Sequence, residues 1–128
     1  CFKAATLMIW AAGVSRILMR VGKNLTDFNE ATEEMVASPA SVYKHFAKNF
    51  QKNAKTIDEI RVNSNDRHLV SYLYHKKMIS GTDCTKLFAN YKTRCECAHP
   101  TDITLSPNDV IAIFDNIYGL VFSNPSLK

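Results

Sequence analysis

The most apolar stretch of the chain lies at its start, in "FKAATLMIWAAGVSRILMRV" over residues 2–21. Its only charges are Lys3, Arg16 and Arg20, and apolar residues occur on every side of a helical wheel. The run before Arg16 is shorter than the ~20 residues that span a bilayer. It resembles a signal peptide in part, but the helical pattern continues through both arginines. We therefore predict a structural helix from about 2 to 21, ending at Gly22 and enclosed at the centre of the fold.

A second periodic segment begins after "NLTD", where Thr26 or Asp27 is the predicted N-cap. Its apolar face carries Phe28, Ala31 and Met35, and Pro39 predicts that the helix kinks or restarts there. Beyond this break two parallel stripes recur every four residues, one apolar and one cationic: Val42, Phe46 and Phe50, and Lys44, Lys48, Lys52 and Lys55. The pattern predicts a long second helix with a cationic ridge, for which solvation is the ordinary explanation.

Three further helices follow from the same periodicity. "RVNSNDR" reads as a polar connection, "DRHLVSYLYHKKMI" as a helix, and residues 83–94 as a short helix. The last helix has the clearest start, because Ser106 can cap it, Pro107 suits its first position and Asp109 complements its dipole. No strand alternation occurs. We predict an all-α, single-domain helical bundle of about five helices over residues 1–128.

Composition and the absence of known motifs exclude several classes of function. The 128 residues have a net charge of +4, which favours anionic surfaces only weakly and predicts no nucleic-acid partner. No phosphate-binding loop, nucleophile elbow or metal-binding helix motif is present, and His68 and His75 are two helical turns apart. We therefore expect a protein that is not an enzyme and uses no cofactor. The sequon Asn24-Leu25-Thr26 is a glycosylation candidate that agrees with secretion.

Four cysteines, Cys1, Cys84, Cys95 and Cys97, form an even set that allows two disulfides. A bond between Cys95 and Cys97 would close a strained ring, so we expect each to pair elsewhere, with Cys84 and Cys1. The alternative is a metal site, since Cys95, Cys97 and His99 alternate as Cys-x-Cys-x-His. That spacing matches no common zinc pattern, and no metal is predicted.

The order of several motifs resembles the abalone sperm lysin family of gastropod acrosomal proteins. The motifs are "CFKAATLMIWAAGVSRILMRVGKNLT", "FAKNF", "SYLYHKKMIS" and "LFANYKTRCECAHPTDI", and they cover residues 1 to about 105 in the same order. Members of this family are all helical and have no catalytic residues. One member dissolves the egg vitelline envelope without cleaving it, and a paralogue mediates fusion of the sperm and egg membranes. The modest net charge and the acidic "NEATEE" are closer to the fusion paralogue.

The resemblance implies a secreted protein of the sperm acrosomal vesicle that acts at the egg plasma membrane or on an egg-coat glycoprotein. The basic residues that it makes candidates for binding are Arg16, Arg20, Lys23, Lys44, Lys48, Lys52, Lys76 and Lys77.

Two apolar helices in so small a bundle leave apolar surface for a membrane, a homodimer or another partner. For the step in which a helix enters a membrane, the candidates are Val110, Ile113, Phe114 and Phe122. The alternatives are dissolution of the vitelline envelope and a secreted, cytokine-like helical ligand that binds a receptor.

Overall fold

The predicted all-α bundle is confirmed by a computed structural model, which describes residues 2–46, 48, 50–99 and 103–128. Within those residues there are six α-helices and no strand: α1 Phe2–Val21, α2 Leu25–Ala37, α3 Ile57–Asn63, α4 Asp66–His75, α5 Gly81–Ala98 and α6 Pro107–Ile117. A 3₁₀ turn at Ser41–His45 follows α2, and a π turn at Tyr118–Phe122 and a 3₁₀ turn at Pro125–Leu127 follow α6. Most of the buried hydrophobic residues form one core.

The first helix has the predicted bounds, but it is not enclosed. Its buried residues lie on one side and are mostly large: Thr6, Trp10, Gly13, Ile17, Leu18 and Val21. The opposite side faces solvent and carries Ala4, Met8, Ala11, Ala12, Ser15 and Met19. The prediction of a fully enclosed central helix is therefore wrong, because α4, α5 and α6 cover only one side of α1.

Gly22 lies directly after α1, as predicted, but it does not form the left-handed C′ turn that a glycine at this position commonly forms. Its φ angle is not positive, so it is not a left-handed C′ residue. A Cβ placed on Gly22 would overlap with Cδ1 of Ile57. The glycine is needed because the segment that enters α3 approaches the backbone closely.

The second helix is shorter than predicted. Asn24, rather than Thr26 or Asp27, is its N-cap, and Asn24 Oδ1 accepts a hydrogen bond of 3.0 Å from the backbone N–H of Asp27. The break near Pro39 is confirmed, since α2 ends at Ala37. Between α2 and α3, the described residues form one 3₁₀ turn and no α-helix. The predictions of a long second helix and of a cationic ridge along it are therefore wrong. The four lysines of that ridge share no helix face.

The segment predicted as a polar connection contributes to a helix that the hydrophobic pattern missed. Helix α3 begins after Thr56, whose hydroxyl accepts a hydrogen bond of 3.2 Å from the N–H of Glu59. Asp58 and Glu59 lie in its first turn, where carboxylates favour the positive end of the helix dipole. With Ile60 as its only buried residue, α3 shows too little apolar periodicity to be read from the sequence.

The last two helices are capped as their sequences suggest. Ser80 and Asp83 form a capping box at the start of α5, and Ser106 and Asp109 form another at the start of α6. Helix α5 extends beyond the predicted 83–94 to Gly81–Ala98. This length matters for the cysteines that α5 carries.

The predicted pairing of Cys84 with Cys95 or Cys97 is wrong. All three are free cysteines, and all three belong to the single helix α5. Eleven residues at 1.5 Å each separate the Cα atoms of Cys84 and Cys95 by about 16 Å along the axis, whereas a disulfide needs less than about 7 Å. The remaining predicted partner, Cys1, lies outside the described residues.

Candidate membrane-facing surface

Helices α1 and α6 lie side by side and run in the same direction. At one level Gly13 faces Ile117, and a Cβ on Gly13 would lie 3.1 Å from Ile117 Cγ2. Further along both segments, Arg20 Nε donates a hydrogen bond of 3.2 Å to the carbonyl of Ser126. From the first contact to the second, the residue number increases both in the α1 segment and in the α6 segment. The two helices are therefore parallel, and their outer faces can form one surface.

Helix α6 buries one stripe and exposes another. Ile113 and Ile117 lie in its buried stripe, at 5% and 2% exposure. Ile111, Phe114 and Tyr118 are spaced by three and four residues, and their exposures are 56%, 40% and 66%. This spacing places the three side chains on one face of the helix.

The position of α5 shows that the exposed faces of α1 and α6 adjoin. On α1, Trp10 points toward α5, where its ring centroid is 5.5 Å from that of Tyr91. On α6, Asp109 and Ala112 line a cleft shared with Asn90 of α5. At 100° per residue, Met8 and Ala12 lie on the side of α1 remote from Trp10, and Ile9 lies on the same flank as Gly13, which faces α6. On α6 the side remote from Asp109 and Ala112 carries Phe114, and Tyr118 continues this side in the turn that follows.

We call this continuous face the α1/α6 surface. It comprises Phe2, Met8, Ile9, Ala12, Ile111, Phe114 and Tyr118, of which Ile9 is half-buried and the others are exposed. Scattered exposed apolar residues are ordinary, but an apolar face shared by two helices indicates a contact with a partner or a membrane.

Positive charge accompanies the apolar residues on α1. No acidic residue occurs before Asp27, while Arg16, Arg20 and Lys23 follow one another along the end of the helix. Arg16 and Arg20 are half-buried and Lys23 is exposed. The acidic residues of α6 are Asp109 in its first turn and Asp115, and both are exposed. The α1 half of the surface is therefore cationic.

The other predicted basic residues are not brought to this surface as a group. Lys76 Nζ forms an ion pair of 2.7 Å with Asp27 Oδ1, and Lys52 Nζ lies 5.8 Å from the ring centroid of Phe50. Lys44, Lys48 and Lys77 are exposed.

Of the four predicted apolar contact residues, the structure supports one fully. Phe114 is exposed and Phe122 is half-buried, whereas Val110 and Ile113 are 8% and 5% exposed and belong to the interior. The prediction for Val110 and Ile113 is wrong because their stripe on α6 faces inward. The exposed Ile111, Tyr118 and Met8 were missed. On α1, residue size could have identified the exposed face from the sequence, because alanine, serine and methionine face solvent while tryptophan, isoleucine and leucine face inward.

His68 of α4 lies in an aromatic pocket. Its ring stacks on Phe46 at 4.5 Å between centroids and contacts Phe28 at 4.7 Å and Phe50 at 6.0 Å. Its Nε2 lies 2.8 Å from Thr32 Oγ1 and its Nδ1 lies 3.1 Å from Ser64 Oγ. Burial lowers the pKa of His68 from 6.5 to about 4, so the ring is neutral at pH 7.

The three described cysteines differ in burial. Burial raises the pKa of the Cys84 thiol to about 11, and Cys97 is also buried, while Cys95 is half-exposed. Because the thiolate is the nucleophile, we expect a thiol reagent at pH 8 to label Cys95 before Cys84. Mass spectrometry of peptides from briefly labelled native protein measures the order. Labelling of Cys84 at the rate of Cys95 would contradict the buried position of Cys84.

Two other predictions concern Asn24 and metals. Asn24 is exposed, and its Oδ1 accepts the hydrogen bond that caps α2. A glycan would be attached to Nδ2, which takes no part in that bond. Among the described residues, no three side chains of His, Cys, Asp or Glu form a group that could hold a metal ion.

By length and composition, Phe2–Gly22 is sufficient to cross a membrane, contrary to the expectation from the shorter apolar run. A third of its most apolar window is buried against the rest of the protein. A core helix or a signal sequence has the same composition, so this property alone assigns no membrane span. No family model, curated protein or solved structure matches the chain.

Proposed function

We propose that the protein acts without catalysis at anionic membrane surfaces, as a secreted acrosomal protein that promotes fusion of the sperm and egg membranes. The observation that carries the membrane role is the α1/α6 surface, in which an exposed apolar face adjoins Arg16, Arg20 and Lys23. The role in fertilization comes from the sequence resemblance to acrosomal proteins.

The cationic part and the apolar part of this surface support two successive steps of membrane binding. Lysine and arginine side chains are attracted to anionic headgroups by about 1 kcal/mol each near the surface. An apolar face lying in the plane of the interface then enters the boundary between headgroups and acyl chains. Because the bundle presents Ile111, Phe114 and Tyr118 while folded, α6 does not have to unfold to make this contact.

Binding to vesicles tests the proposal. We expect saturable binding to vesicles of phosphatidylglycerol and phosphatidylcholine, with lipid mixing, and little binding to phosphatidylcholine alone. The double variant Ile111→Ser, Phe114→Ser should bind at least tenfold more weakly, since a buried aliphatic or aromatic side chain contributes about 1.5–3 kcal/mol. Cosedimentation and a fluorescence lipid-mixing assay measure both effects.

Val62→Ser is the matched control, because Val62 is 79% exposed but lies on α3, outside the α1/α6 surface. Equal weakening by this control would contradict the assignment of the surface. Sedimentation provides a second check. A dimer that the Ile111→Ser, Phe114→Ser variant dissociates would mean that a second copy covers this face, and the membrane proposal would be wrong.

A further inference from the structure

A cleft of about 230 Å³ opens beside α1, on the side that faces α3, α4 and α5. It is lined by Trp10, Ala11, Val14, Ser15, Arg61, Asp66 and Arg94. Pockets for drug-sized molecules typically measure about 300–1,000 Å³, so this cleft suits one small chemical group rather than a whole metabolite.

Two guanidinium groups from different helices line this cleft. Arg61 Nη1 is paired with Asp58 Oδ1 at 2.9 Å, and both side chains are more than half exposed. Within the described part of the chain, no ion pair involves Arg94. An exposed pair exchanges readily with another anion, and the planar fork of arginine matches the oxygens of a phosphate. Two guanidinium groups that line the same cleft supply the kind of donors that bind an oxyanion.

The acidic residues of this region are already engaged. Asp66 Oδ2 accepts a hydrogen bond of 2.8 Å from Trp10 Nε1, and Asp58 is bound by Arg61. Arg67 adds a third guanidinium group, centred 5.5 Å from the Tyr91 ring, and its buried Nε has no acceptor among the described residues. Three guanidinium groups and two carboxylates leave an excess of positive charge around the cleft.

We propose that this cleft binds the phosphate of an anionic lipid headgroup. Ala11 and Ser15 line the cleft and are exposed, and one helical turn places them beside Met8, Ala12 and Met19 on the outer side of α1. A phosphate held by Arg61 and Arg94 therefore leaves its glycerol and acyl chains beside an apolar helix face. The inference rests on the proposed membrane function and gives it a defined headgroup site.

Trp10 is the only tryptophan of the chain, so its fluorescence reports directly on this cleft. The ligands to titrate are inorganic phosphate and dihexanoyl phosphatidylglycerol below its micellar concentration. We expect a saturable fluorescence change with both and at least tenfold tighter binding of the lipid, because Ala11 and Val14 contact its apolar part. In the variant Arg61→Gln, Arg94→Gln both affinities should fall at least tenfold.

The control Lys86→Gln, Lys92→Gln removes two positive charges from exposed positions of α5 that do not line the cleft, and should leave both affinities unchanged. No saturable response of Trp10 to either ligand would overturn the inference, and so would equal affinity for phosphate and lipid. Vesicle binding separates the two proposals. If Ile111→Ser, Phe114→Ser abolishes it while Arg61→Gln, Arg94→Gln leaves it intact, the membrane function stands and the headgroup site is wrong.

Discussion

Acidification from pH 7 to pH 4 should lower the free energy of unfolding by roughly 3 kcal/mol through His68 alone. His68 is fully buried, and its surroundings are three phenylalanine rings and two hydroxyl groups. A positive imidazolium would there lose its hydration without gaining a carboxylate partner.

The hydrogen bonds of His68 also suit the neutral ring. Thr32 Oγ1 donates to the carbonyl of Phe28 at 2.8 Å, which leaves it as the acceptor for a proton on Nε2. Ser64 Oγ accepts from the N–H of Gln51 at 2.9 Å, which leaves its hydroxyl proton for Nδ1. The neutral tautomer with its proton on Nε2 therefore satisfies all of these groups. A second proton, on Nδ1, would remove the acceptor of the Ser64 hydroxyl proton.

The direction of the pH effect follows from the two pKa values. The folded pKa of about 4 lies below the unfolded value of 6.5, so the unfolded chain binds more protons between these pH values. The contribution of neutral His68 to the free energy of unfolding is fully present above pH 6.5 and is lost progressively as the pH falls toward 4.

Urea unfolding at several pH values measures this dependence, and an NMR titration of the His68 ring gives its pKa directly. His68→Gln should be less stable than the parent at pH 7 but should show a much smaller loss between pH 6.5 and pH 4. His99→Gln removes an exposed histidine and should retain the parental slope. A parental slope in His68→Gln would show that other groups cause the acid sensitivity.

Replacing Phe28 by alanine should destabilise the fold by about 3–5 kcal/mol, whereas the same change at Phe114 should cost less than about 1 kcal/mol. Phe28 is fully buried, and its ring centroid lies 4.7 Å from that of His68 and 5.0 Å from that of Tyr72. Its removal opens a cavity at the junction of α2 and α4. Phe114 is 40% exposed and is more readily replaced by water.

Urea denaturation of the two alanine variants tests this contrast at a single pH. Similar losses at both positions would place Phe114 in the core and remove it from the α1/α6 surface. A small loss at Phe114, combined with weak vesicle binding, would instead separate a residue that acts on lipid from one that holds the fold.

The sequence was most informative where the signal is local. The bounds of α1 follow from a helical run that contains no proline and is followed by Gly22, and the start of α6 follows from Ser106, Pro107 and Asp109, which all act within one turn. The break near Pro39 is local in the same sense. By contrast, the repeat at Val42, Phe46 and Phe50 resembles a helix, yet Phe46 and Phe50, neither of which belongs to an α-helix, both pack on His68.

The sequence by itself determined that the protein is an all-helical bundle and that its first and last helices are too apolar to be ordinary surface helices. Only the tertiary structure decided which side of each is covered. Periodicity defines faces on a single helix, but burial depends on where neighbours lie, and α5 lies on one side of both α1 and α6. That position buries Ile113 and Trp10, and Ile111, Phe114 and Met8 face solvent because none of the described helices packs over them.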